Sequence, residues 1–160
     1  MASPAFRRPE RLLANLRMMA DGMASNKTLK VGFLETAIYP IGDKAGRDGE
    51  HVAQIAFDNE YGTSRNGVTI PARPFFRIMI DRESSGWGVL TSRYLRRTHF
   101  NVDQSLGLLG EKIKDQLQEQ IRDYPNPPPN APRTIEEKGF DKPLTYTGLM
   151  LASPEWVIAE

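Results

Sequence analysis

"HVAQIAFDNEYGTSRNGVTIPARPFFR", residues 51–77, holds in one run the changes of backbone that decide the fold. From His51 to Tyr61, the residues Val52, Ile55, Ala56 and Asn59 fall on one face of a 3.6-residue period, with Phe57 and Tyr61 beside it. That spacing predicts a helix. Gly62 stands where a C′ residue of positive φ would end it. Ser64–Gly67 reads as a turn, and Val68-Thr69-Ile70 as a short extended run. Pro71 and Pro74 each push the preceding residue toward extended geometry. A second helix is expected from Arg73 or Pro74 toward Arg97, broken near Ser84–Gly86, with Phe75 and Phe76 anchoring its start.

Upstream, Pro9–Met23 reads as an amphipathic helix, because Leu12, Leu13, Leu16, Met19, Ala20 and Met23 recur at three- and four-residue steps. From Thr28 to Tyr39 the period changes to two, with Leu29, Val31 and Phe33 on one side, and Pro40 ends the strand. Ile41–Glu50 is rich in glycine and charge and is expected to be an exposed flexible loop or arm.

Downstream, Asn101 is a good N-cap for a long helix carried by Val102, Leu106, Leu109, Ile113, Leu117 and Ile121. Residues 125–133 form a stiff proline-rich connector that cannot be helix. In the extension 134–160, Thr134 with Glu137 reads as a capping box closed by Gly139, and Thr147 as the cap of a short turn ahead of Pro154. Glu155–Ile158 reads as a terminal strand. The expected fold is α+β: one domain over residues 1–160, a small antiparallel sheet packed by two to three helices, with long loops and an extended C-terminal segment.

The 160-residue chain of 18.0 kDa is long enough to bury a core without a metal or disulfide staple. It has no cysteine, which excludes disulfides, thiolate zinc sites, iron–sulfur clusters and a cysteine nucleophile. Its 21 basic and 20 acidic residues leave a net charge of +1, so no global field points to nucleic acid. No apolar run approaches the ~20 residues of a bilayer span, and no apolar h-region follows the basic N-terminus.

Little of the sequence suggests catalysis. His51 and His99 are the only histidines, neither at metal-ligand spacing from another ligand, and both read as structural or solvated. No nucleophile elbow, phosphate loop or dinucleotide fingerprint is present. Asp43, Asp48 and Glu50 lack the pattern of a calcium loop. The expectation is therefore no catalytic residue, no cofactor and no metal. Arg93, Arg96 and Arg97 flank Tyr94, and Arg7, Arg8, Arg11 and Arg17 cluster near the start, which leaves sequence-independent DNA contact as an alternative function. A small hydrolase built on the histidines is a remoter one.

Three segments taken in order resemble a known family: "AQIAFDNEYGT" (53–63), "IPARPFFR" (70–77) and "NAPRTIEEKGFDKPLTYTGLMLAS" (130–153). Their order is similar to that in the head–tail joining, neck and tail-completion proteins of tailed bacteriophages, which include minor tail components of lambdoid phages. The matching residues are Asn59, Glu60, Tyr61 and Gly62, then Ala72, Arg73, Pro74 and Phe75, then Lys138, Gly139, Pro143, Leu144, Thr147 and Gly148.

The resemblance implies a structural virion protein, not an enzyme, made in the host cytoplasm and assembled as a homo-oligomeric ring, a hexamer, at the head–tail junction. Its partners would be further copies of itself and the adjacent neck, connector and tail proteins, with double-stranded DNA passing through the lumen and no membrane. Ring assembly needs two different complementary patches on each subunit. Candidate interface residues are Asn59, Glu60, Tyr61, Gly62, Arg65, Arg73, Phe75 and Trp156, and Arg93, Arg96 and Arg97 are candidates for DNA or inter-ring contacts. Thr63–Gly67 is expected to be a docking loop on a rigid base, and the Trp156-Val157-Ile158 strand to offer an edge to a neighbour.

Overall fold

Two long helices make the frame, because two long apolar stripes lie close together in sequence. The computed structural model describes residues 9–24, 26–44, 46–65, 68–125 and 128–160, and of Pro9, Met23, Arg65 and Val68 the backbone alone. Among these the order is α1 (Pro9–Met23), β1 (Thr28–Phe33), α2 (Val52–Tyr61), β2 (Thr63–Arg65), β3 (Val68–Ile70), α3 (Phe75–Arg97), α4 (Val102–Arg122), α5 (Pro132–Lys138), α6 (Leu149–Ala152) and β4 (Pro154–Ala159). The fold is α+β, with two small antiparallel strand pairs, β1–β4 and β2–β3.

Asn101 caps α4 as its position predicts, its side chain accepting the Gln104 amide at 3.0 Å. Leu109, Ile113, Leu117 and Ile121 are buried against α3, where Phe75 and Met79 are buried in turn. Deep in this hairpin Trp87 Nε1 donates to Gln116 Oε1 at 2.9 Å, and Gln116 Nε2 donates to Glu83 at 2.7 Å. Helix α3 continues through Ser84–Gly86, where a break was expected. Glycine and serine cost a helix about 1 kcal/mol or less each, and packing along α4 outweighs that. At the hairpin turn His99 and Phe100 have positive φ, 52° and 64°.

Strand β1 lies antiparallel to β4, with Leu29 opposite Ile158, Val31 opposite Trp156 and Phe33 opposite Pro154. The strand expected to reach Tyr39 ends at Phe33, because its partner there is a proline with no N–H for the ladder. Farther on, Ile38 makes an isolated bridge with His51. The Trp156–Ile158 segment, expected to offer its edge to a neighbour, gives one edge to the chain's own β1.

Residues 41–44 and 46–50 are held by polar bonds. Tyr39 N–H donates to Glu50 O at 2.9 Å, and Asp48 Oδ1 accepts the Gly42 and Asp43 amides at 3.0 and 2.8 Å. Thr63–Arg65, expected to be part of a loop, is a strand paired with Val68–Ile70; the Asn66-Gly67 tip lies outside the described residues. Helix α5 starts at Pro132 rather than Thr134, since a proline at the first helical position is already set at helical φ, and Gly139 (φ 77°) closes it as expected. Gly148, not Thr147, is the cap residue of α6, although Thr147 Oγ1 still accepts the Leu149 amide at 3.4 Å.

Candidate functional site

The three sequence segments of the resemblance meet in space. At the end of α2, Asn59 Nδ2 donates to Ile55 O at 2.8 Å while Asn59 O accepts the Arg73 amide at 2.6 Å. Gly62 turns the chain with φ 75° and ψ 157°, and a Cβ there would stand 2.9 Å from Ala72 N and 3.0 Å from Ile70 O. The 70–77 segment is thus laid directly against the α2 terminus, and only glycine permits the approach.

Glu60 is 5% exposed. Its carboxylate accepts the Phe76 amide at 2.9 Å, the Arg77 amide at 3.3 Å and Arg77 Nε at 2.8 Å. These are first-turn donors of α3, so Glu60 is the cap that Pro74 cannot supply. It acts inside the subunit, not on its surface. The Glu60 hydrogen bond, ahead of a smaller opposing effect of burial, raises the Arg77 guanidinium above its ordinary value.

Phe75 is 1% exposed and packs edge-on against Phe33 with ring centroids 6.3 Å apart, which makes it core rather than interface. Tyr61 is exposed and stacks with Phe57 (4.7 Å), and the Arg77 guanidinium lies over its ring at 4.8 Å. Phe57, Tyr61, Gly32, Phe33 and Phe76 line an open, largely apolar hollow of ≈ 260 Å³.

Arg73 is turned inward, with 5% of its surface exposed. Its Nη2 reaches Pro128 O, Pro129 O and Asn130 Oδ1 only at 3.4, 3.4 and 3.5 Å, and Nε has no hydrogen-bond partner among the described residues. Burial holds its guanidinium below the ordinary arginine value, against the opposing pull of Tyr124 and Asp141. The side chain lines a cavity of ≈ 160 Å³ with Asn59, Asn130, Arg47, Lys138 and Tyr146. Arg47 and Lys138 were not singled out as site residues from the sequence. Arg47 carries no local signal and Lys138 stands only among the residues of the resemblance, since both reach this cavity only through the fold.

Trp156 is half-buried in β4. Its indole lies over Gly107 and Gly110 of α4, and Nε1 donates to Glu111 at 2.8 Å. Arg65 belongs to β2, and its side chain is outside the described residues. Arg93, Arg96 and Arg97 are exposed on the last turns of α3, at spacings that share a face.

Helix α1 stands apart from this cluster. Met18, Met19 and Gly22 near its C-terminal end share an apolar cavity with Leu95, Phe100 and Val102. Along the rest, Leu12, Leu13 and Leu16 are 53%, 55% and 52% exposed. Among the described residues no group of three or more His, Cys, Asp or Glu is placed to hold a metal ion, and no helix is long and apolar enough to cross a membrane. No family model, curated protein or solved structure matches the chain.

Proposed function

We propose that the chain is a structural virion protein of a tailed bacteriophage. In this reading it forms a homo-oligomeric ring at the head–tail junction that joins the connector to the tail and continues the DNA channel. The observation that carries the oligomer is α1, whose leucine stripe is turned to solvent in the single subunit. An amphipathic helix of this kind is stabilised chiefly by burying its apolar face. A ring contact joins two different patches, and the exposed Phe57–Tyr61 hollow on α2 supplies a second apolar surface distinct from the first. We assign the contact between them: α1 of one copy seats on the α2 hollow of the next. The resemblance of the three segments supplies the phage context. The protein has no catalytic step in this role.

The test is the mass of the purified protein, alone and with connector or tail proteins, together with its position in labelled virions. A closed ring at the neck is expected. Absence from virions, with a monomer under every condition, overturns the reading.

A second reading rests on Arg93, Arg96 and Arg97, which share an exposed face of α3. If this face binds DNA without sequence preference, filter retention of duplex DNA falls steeply with salt and is lost in the triple alanine variant. No retention at low salt removes that reading.

A further inference from the structure

Beyond assembly, we propose that the cavity between α2, the 41–50 segment and α5 binds a small oxyanion, a phosphate or carboxylate group, on Arg73, Arg47 and Lys138. The three cations come from distant parts of the chain and line one space of ≈ 160 Å³, far more than the ~10–15 Å³ that one ordered water requires. Arg73 is the centre of the site. A guanidinium presents its donors as a planar fork suited to two oxygens. Here the arginine is buried; Nη2 is held by three long contacts and Nε by none among the described residues. Leaving so buried a cationic donor without an acceptor costs more than leaving a neutral one. An oxygen in the cavity would satisfy it.

The surroundings add positive charge and donors. Arg47 Nη1 donates to the Tyr39 hydroxyl at 3.2 Å, and Lys138 Nζ donates to Lys142 O at 2.5 Å, both neutral acceptors. Lys138 is held below its ordinary value by burial first and then by Arg73 and Arg47, so the three charges feel one another. Asp141 is the carboxylate that opposes them, and it accepts Asn130 N and Nδ2 at 3.2 and 2.8 Å. Among the described residues that line the cavity, all three charged side chains are cationic. A bound oxyanion would tie together the 41–50 segment, the Arg73 turn before α3 and α5, which are distant in sequence. The proposal does not depend on the ring, because it concerns a cavity within one subunit.

The experiment is calorimetric titration of the full chain with inorganic phosphate and, separately, with acetate, each against sodium chloride at equal ionic strength. A saturable heat with one of the two is expected, and which one responds distinguishes a tetrahedral from a planar ligand. Ligand at 100-fold over its Kd should also raise stability by about 2.7 kcal/mol, read as a higher melting temperature. Arg47→Met and Lys138→Met, whose side chains lie at the partly exposed border of the cavity, should each weaken binding at least about tenfold while leaving the unliganded melting temperature near that of the parent. No saturable heat with either anion, or binding unchanged in both variants, overturns the proposal. Arg73→Met is informative only where circular dichroism shows it folded, and then it should abolish binding.

Discussion

The Glu60 carboxylate, at the end of α2, accepts the Phe76 amide of α3, sixteen positions along the chain, at 2.9 Å. One buried side chain therefore sets where the longest helix begins. Glu60→Ala leaves the Phe76 and Arg77 amides without this acceptor and should destabilise the fold by about 1–3 kcal/mol. Urea denaturation measures it, and Glu60→Gln, which keeps one acceptor oxygen, should lose less.

Gly110 and Gly86 both sit in helix interiors, yet they should respond oppositely to alanine. A Cβ on Gly110 would lie 2.7 Å from the Trp156 indole, whereas nothing lies within 4 Å of one on Gly86. Gly110→Ala should destabilise by about 1–3 kcal/mol through overpacking. Gly86→Ala should stabilise by about 0.5–1 kcal/mol. Paired denaturation curves check both signs.

Leu12→Asp and Leu16→Asp test the assembly surface. Each residue is more than half exposed in the subunit, so monomer stability should change by no more than about 0.5 kcal/mol. Sedimentation should show loss of the ring, and virions should lack the variants.

The absence of cysteine makes a direct test of the proposed contact possible. The double variant Leu16→Cys with Tyr61→Cys should give, under oxidation, a ladder of cross-linked species on non-reducing gels up to the ring number. Either single variant should stop at the dimer at most.

Glu155 and Lys114 give a pH dependence of definite sign. The hydrogen bond from Lys114, at 3.0 Å, holds the Glu155 carboxyl below its ordinary value of 4.5. The stability that this pair contributes is present above that ordinary value and is lost as pH falls through the lower folded value. The Lys114 ammonium, raised by the same bond, contributes stability that is lost only as pH rises through its raised value. Both groups are largely solvent-screened, so the effect is small. Glu155→Gln should flatten the acid limb of a melting-temperature profile and leave neutral pH nearly unchanged.

What the sequence made legible is local. The α4 stripe, the Asn101 cap and the Gly139 stop each depend on residues within a turn of one another, and each stands where its pattern places it. Contacts between distant segments were not legible. Arg73 between its prolines is a candidate interface residue by sequence, but the Pro128–Asn130 stretch lies against it. Phe75 belongs to the core because Phe33, on another element, meets it. Glu60 carried no mark as a cap, since the helix it serves begins fifteen residues later. The gathering of Arg47, Arg73 and Lys138 depends on three distant segments meeting, which no periodicity encodes.

The pairing of Leu29 with Ile158 has a consequence in time. β1 is made before β4, and among the described residues its only strand partner is Pro154–Ala159. Roughly 120 residues separate the paired ends, a wait of about 6–24 s at the ~5–20 residues per second of translation. Until then Trp156 is not there to cover the α4 glycines, and the α1 leucines hang from an unclosed sheet. A chain interrupted before that point lacks the strand that closes β1.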